Sequence, residues 1–304
     1  MRRYEKPPMP IEDQARMLIS RGLQCSDLPR LEKYLSTIGY YRLSAYWLVY
    51  EIPSENAGER SHQFKPNTTF QDVLDLYLFD RKLRLLVLDV LERFEVALRT
   101  CFANRLALAT NDSHAFMNPA LFSNNRTFEN GLDYLKNEIG RSHEVFVRHY
   151  RDKYDEPPLP PIWAVVEVMT LGSLSRWYGN TKDNAIKKQI AKTFGIPNMD
   201  IFGRLLKALT SVRNDCAHHS RLWNRKYTLA PPMIKKIKTQ YNEDHPRRLH
   251  NFLVILGHML SHINPTSSWK KRVVELIQTR PDWQVQAMGF SDDWQGQLPW
   301  KESV

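Results

Sequence analysis

The chain has 304 residues, with 43 Lys+Arg against 33 Asp+Glu, a formal net charge of +10 and 42% hydrophobic residues. That apolar content excludes intrinsic disorder and is enough for one large core or two ordinary ones. With 12 Gly, 18 Pro and no fixed period, collagen-like, repeat and low-complexity classes are also excluded.

The longest apolar run, FLVILGHML from Phe252 to Leu260, has about half of the roughly 18 residues that a membrane span needs. The N-terminal MRRYEKPPMPIEDQ is basic but has no apolar stretch behind it, so it does not read as a secretory signal. A cytoplasmic chain with no membrane partner is expected. Cys25, Cys101 and Cys216 are widely spaced and lack any CxxC pair, which predicts reduced thiols rather than a disulfide framework or a zinc knuckle.

The charge is unevenly placed. Residues 201–280 hold 15 Lys+Arg and 4 Asp+Glu, leaving 28 basic and 29 acidic residues for the rest of the chain. A basic block of this kind is the footprint of a polyanion such as nucleic acid, although solvated helix faces give the same count.

Apolar spacing follows the helical period nearly throughout and no stretch keeps strand alternation, so the predicted fold class is all-α. In chain order, helices are predicted over 11–21 and 28–50, then a polar loop over 53–69. One long helix follows from Phe70 to about Ala109. Its apolar positions, including Leu74, Leu78, Leu85, Leu91, Phe94 and Leu98, run nearly all round, which places it in the middle of a bundle. A loop over 111–125 and a polar helix to about Lys153 lead to EPPLPP, whose prolines end one element and set up the next. Further helices fit 162–178, 182–194, 199–223, 246–263 and 268–279. The segment 281–304, with Trp283, Trp294 and Trp300, reads as an irregular tail. No shift in composition divides the chain, so residues 1–304 read as a single domain.

The segment SVRNDCAHHSRLWNR, Ser211 to Arg225, gathers Arg213, Asn214, His218 and His219 behind an amphipathic stretch containing Phe202, Leu205, Leu206, Leu209 and Val212. A helix advances about 100° per residue, so Asn214 and His218 fall about 40° apart and Arg213 and His218 about 140° apart. Asn and His can therefore share a face. Arg213 has to reach round, the helix has to distort, or a second copy of the segment completes the site. Imidazole transfers protons near neutral pH, and guanidinium stabilises charge growing on a phosphate.

This segment resembles the R-polar-x-x-x-H signature of HEPN ribonucleases, with Arg213, Asn214 and His218 on the matching positions. The wider chain resembles the Abi (abortive infection) family, in its AbiD/AbiF-like group. The resemblance is carried by SRGL (Ser20 to Leu23), YLSTIGYYRLSAYW (Tyr34 to Trp47), FDRKLRLLVLDVLERFEVALR (Phe79 to Arg99), PPIWAVVEVMTLGSLSRWY (Pro160 to Tyr178), the motif itself and HINPTSSWKKRV (His262 to Val273).

The resemblance implies an all-α HEPN-type helical bundle with additional N-terminal and C-terminal helices and its motif helix near 199–225. It also implies a phage-defence endoribonuclease that uses no metal and no cofactor. A single motif per chain implies a homodimeric site. There the RNA 2′-hydroxyl would attack the adjacent phosphate, with Arg213, Asn214 and His218 as the catalytic residues. His219, Arg221, Asn224 and Arg225 would contact RNA, and an antitoxin protein or a regulatory non-coding RNA would restrain the enzyme. His219 also satisfies a looser spacing from Arg213, so the motif leaves open which histidine does the chemistry.

Several other residues suit more than one role. Lys235, Lys236, Lys238, Arg247, Arg248, Lys270, Lys271 and Arg272 suit either a phosphate track or a solvated face. Tyr40, Tyr41, Arg42, Tyr46 and Trp47 suit base stacking or, more simply, a core. His258 and His262 have i, i+4 metal-ligand spacing but no third ligand. Glu92, Glu95 and Arg99 fit either an intrahelical ion pair or a support for Arg213. Nothing near Cys216 argues for a nucleophilic thiolate. Experiment separates the competing functions. An RNA-binding defence module binds RNA without cutting it, a partner-controlled toxin is inert until its partner changes, and a metallohydrolase fails in EDTA.

Overall fold

The computed structural model describes residues 7–56 and 58–301. Residues 1–6 of the basic N-terminus and 302–304 of the tail lie outside that description. Among the described residues helices dominate, no strand forms, and extended pairing is confined to isolated bridges such as Gln24 with Thr69. No described helix is long and apolar enough to cross a membrane. The chain clusters into two compact units, residues 1–82 and 83–304, and the boundary falls inside one continuous helix, α4, Phe70–Thr110.

The first unit holds α1 (Ile11–Ser20), α2 (Leu28–Ile38) and α3 (Tyr40–Trp47). The stretch 28–50, predicted as one helix, breaks at Gly39, where φ is 92°, a value that residues with a Cβ avoid. This turn lets Leu43, Tyr46 and Trp47 join Leu18, Leu31 and Leu35 in the core. The Tyr46 hydroxyl donates to Asp80 at 2.7 Å. Tyr46 and Trp47 are therefore packing residues, and of the aromatic run only Tyr41, 91% exposed, stands out in water.

The second unit continues α4 and adds α5 (Asn125–Arg141), α6 (Val145–Lys153), α7 (Ile162–Val165), α8 (Leu171–Asn180), α9 (Asn184–Thr193), α10 (Met199–Ala217), α11 (Leu249–Ile263), α12 (Trp269–Ile277) and α13 (Asp282–Gln286). Two predicted helices are again split, each where a residue leaves helical backbone. Ser142 (ψ 132°) ends α5, and Thr170 (ψ 161°) starts α8 by accepting from the Ser173 backbone N–H.

The helix enclosed on all sides is α11, not α4. Every residue of α11 from Leu249 through Leu260 is buried. On α4, Leu74, Leu91, Phe94 and Leu98 are buried, but Leu85 is 56% exposed and Val96 is also exposed, so that helix keeps one open side. Phe94, Phe194 and Phe202 cluster with ring centroids 4.9 to 6.3 Å apart, which fixes α10 against α4 and the end of α9. The Trp269 indole donates to the Leu86 carbonyl at 2.7 Å, and Arg272 pairs with Asp89, docking α12 on α4. The tail read as irregular carries α13 and a 3-10 turn at Trp294–Gly296. Trp294 and Trp300 are buried, whereas Trp283 is exposed.

Candidate functional site

The site is built on α10. Asn198 starts this helix by accepting from the backbone N–H groups of Asp200 and Ile201, both at 2.9 Å. Phe202, Leu205, Leu206, Leu209, Val212 and Cys216 then turn its apolar stripe inward. The remaining faces of the last turns leave Asn214, His218 and His219 exposed and Arg213 and Asp215 half-buried.

The helix stops earlier than its periodicity predicts, at Ala217 rather than near Trp223. His218 is the capping residue and donates its N–H to Asn214 O at 2.9 Å. His219 donates to Cys216 O at 3.1 Å and Ser220 to Asp215 O at 2.8 Å, with His219 at φ 57°. This pair of bonds is the Schellman stop signal, which usually has glycine in the left-handed position. Here a histidine occupies it, and the backbone reversal carries the chain away from α10 immediately after the two imidazoles.

Arg213 faces α4. Its Nε lies 3.4 Å from Oε2 of Glu95, whose side chain is only 9% exposed. The other oxygen of Glu95 takes Arg99 Nη2 at 2.7 Å, and Arg99 also donates to the Met169 carbonyl at 2.8 Å and pairs with Glu167 at 3.5 Å. Both readings of Glu95 therefore hold: it makes the intrahelical pair and also fixes Arg213. Glu92 is exposed.

Asp215, inside the motif but not singled out by sequence reasoning, forms a second centre. Its Oδ1 pairs with Arg225 at 2.9 Å, and Oδ2 is buried without a hydrogen-bond partner. Burial lifts its carboxyl above the ordinary range, and the charges of Arg225 and His218 partly pull it back. Its signal in the sequence is the i, i+3 step from Asp215 to His218.

The residues after the motif are tied down. The Arg225 guanidinium also stands 5.8 Å from the ring centroid of Tyr227. Asn224, at φ 51°, accepts from Arg248 Nη1 at 2.7 Å. Trp223 is buried, with its indole donating to the Gln284 carbonyl at 2.9 Å, and Arg221 is half-buried beside it in the chain. The structure thus brings Asn214, Asp215 and His218 to one side of the helix end and sends Arg213 to Glu95 on another.

Each ring of the spaced pair on α11 has one nitrogen engaged with a backbone carbonyl. His258 Nε2 meets the Gly195 carbonyl at 3.1 Å, and His262 Nδ1 meets the His258 carbonyl at 2.9 Å. No group of three or more metal-ligating side chains forms among the described residues.

A family model described as Abi-like protein matches residues 33–224. No curated protein and no solved structure matches the chain.

Proposed function

The chain belongs to the Abi-like protein family, and on that premise we propose that it is a HEPN-type endoribonuclease of an abortive-infection system, acting as a homodimer on RNA. The observation that carries this reading is the end of α10. Two exposed imidazoles and an exposed amide gather there, and from the same turns of the helix Arg213 leaves in another direction, where buried Glu95 orients it instead of leaving it to water. Its partner is a buried carboxylate, whereas the surface arginines Arg16 and Arg141 pair with carboxylates on their own helix.

In the proposed reaction the RNA 2′-oxygen attacks the neighbouring phosphorus and the bond to the 5′-oxygen breaks. The products are a 2′,3′-cyclic phosphate and a free 5′-hydroxyl. His218 takes the 2′-hydroxyl proton or gives one to the leaving oxygen, Arg213 stabilises the charge on the non-bridging oxygens, and Asn214 orients the phosphate. DNA, which lacks the 2′-hydroxyl, is not cut. Arg213 and His218 leave α10 in different directions, which favours a centre shared by two copies related by a two-fold axis. His219 holds a left-handed backbone position at an energetic cost, which favours use of its ring at the RNA. Arg221, Asn224 and Arg225 continue that contact surface. An antitoxin protein or a regulatory RNA holds the enzyme in check.

The test incubates labelled single-stranded RNA in EDTA with wild type, Arg213→Ala and His218→Ala, with light scattering to read the mass of each. Wild type is expected to cut the RNA as a particle of twice the 35.8 kDa chain mass. Each variant should keep that mass and its helicity while losing about 10²- to 10⁴-fold in rate. Equal cutting by all three proteins overturns the assignment.

A further inference from the structure

The basic residues of the 201–280 block do not all remain available to a polyanion. Lys238 pairs with Glu243 at 3.6 Å, Arg272 with Asp89, Arg225 with Asp215, and Arg248 donates to Asn224. The outer face of α10 is different. The exposed residues of this helix are Asp200, Arg204, Lys207, Ser211 and Asn214, and His218, which caps it, is exposed as well. Their spacing alternates four and three positions, so at about 100° per residue they all fall within a sector of about 80°. They form one straight stripe, opposite the apolar stripe of Phe202, Leu205, Leu206, Leu209 and Val212 that the core takes.

Amphipathicity requires this face to be polar but not to be cationic. Asp200 sits in the first turn, where a carboxylate complements the helix dipole, and beyond it the stripe carries no acidic residue. On an exposed helix face a basic residue usually finds its partner three or four positions away. Only Asp200 offers that spacing, to Arg204, and the two make no ion pair. Among the described residues neither Arg204 nor Lys207 pairs with any carboxylate. The two cations instead stand at i, i+3 and repel each other, and a phosphate lying between them removes the repulsion. Ser211, one turn further on, adds a hydroxyl donor, and Asn214 and His218 follow on the same line.

We propose that Arg204, Lys207 and Ser211 form a phosphate track that lays single-stranded RNA along α10 and delivers it to Asn214 and His218. The proposal rests on the reading of RNA as substrate and adds to it the path of the strand. Along the helix axis Arg204 lies about 21 Å and Lys207 about 16 Å from His218, so both grip phosphates further along the strand than the scissile one. The track reads phosphate oxygens and not bases, so its contribution is independent of sequence and falls with salt.

The experiment measures binding of the full chain to a single-stranded 2′-O-methyl RNA, which offers no 2′-hydroxyl for attack, as a function of salt. Wild type is compared with Arg204→Ala/Lys207→Ala on α10 and with Lys188→Ala/Lys192→Ala, which removes two exposed cations from α9. Alanine keeps both helices intact. The α10 variant is expected to bind about tenfold more weakly at 0.1 M salt, with a log–log salt slope smaller by about 1.4, as for two phosphate contacts on a single strand. The α9 variant should match wild type. On unmodified RNA the α10 variant should raise KM and leave kcat alone. Unchanged affinity and slope in the α10 variant, or an equal loss in the α9 variant, overturn the track and leave the nuclease reading in place. So does a lower particle mass for the α10 variant in light scattering, which would make the stripe a contact between copies. If wild type binds RNA and the α10 variant weakens it as expected, but neither cuts, the nuclease reading fails and the track stands. Absence of RNA binding by wild type overturns both.

Discussion

At position 219 an L-residue sits where the helix stop signal favours glycine. The left-handed conformation costs about 1–2 kcal/mol for a residue with a Cβ, whereas glycine adopts it freely but loses about 0.5–1 kcal/mol more chain entropy on folding. His219→Gly is therefore expected to raise stability by up to about 1 kcal/mol in urea unfolding, and His219→Val to lower it, because a β-branched residue is least at ease there. If the ring contacts RNA, the stabilised Gly variant cleaves more slowly. A Gly variant that unfolds earlier than wild type would remove the argument that strain is held here for a purpose. The neighbouring case is Glu95, which touches no substrate in the proposed reaction and acts through Arg213. Glu95→Gln keeps the shape and removes the charge that fixes the guanidinium, so kcat should fall between about tenfold and a hundredfold with KM little changed. Glu95→Asp should recover part of the loss. A purely structural Glu95 would instead move the unfolding midpoint and leave the rate per folded molecule untouched.

At the scale of elements, periodicity located nearly every helix because burying one apolar stripe is what makes each of them stable. It failed where a single residue decides the backbone. Gly39 and Thr170 each divide a stretch whose apolar spacing runs on unbroken, since the spacing records which faces are buried and is silent about a turn that preserves the face. The same limit put the end of α10 about a turn and a half too far: Leu222 and Trp223 keep an apolar signal because they are buried, although they are no longer helical. Composition likewise pointed to α4 as the central helix, because it counts apolar residues without knowing which neighbours exist to cover them. Leu85 and Val96 are left exposed, while α11, shorter and with His250, Asn251 and His258 among its leucines, is enclosed. Within the site, the grouping of Asn214 with His218 was legible from 3.6-residue geometry. Glu95, 118 positions away in the chain, was readable as a support for Arg213 only alongside an ordinary intrahelical pair, and the Asp215–Arg225 pair was not readable at all, because it depends on the reversal at His219.

For the whole molecule, the tail and α11 are joined through His250. The Trp300 indole can only donate, and it meets Nε2 of His250 at 3.2 Å, so the ring proton is on Nδ1, facing Asn251 Oδ1 at 3.1 Å. Asn251 in turn exchanges hydrogen bonds with the Asn242 backbone, accepting from its N–H and donating to its carbonyl, each at 2.9 Å. Both imidazole nitrogens are thus committed to the neutral form, and burial pushes the His250 pKa down from its ordinary 6.5 to about 4. The unfolded chain takes up the proton near pH 6.5 and the folded one only near pH 4. The stability this group contributes is therefore complete above pH 6.5 and is lost as the pH falls through that window, by roughly 3 kcal/mol in all. His250→Gln removes the titration while offering an oxygen to Trp300 and an N–H to Asn251. Urea unfolding of the two proteins should converge on acidification, the wild type losing its excess between pH 7 and pH 4 and the Gln variant following a flatter curve. Parallel curves would mean that the imidazole is already charged or reached by water in the folded chain. The network from α11 through Trp300 would then not be what secures the C-terminal segment over the second unit.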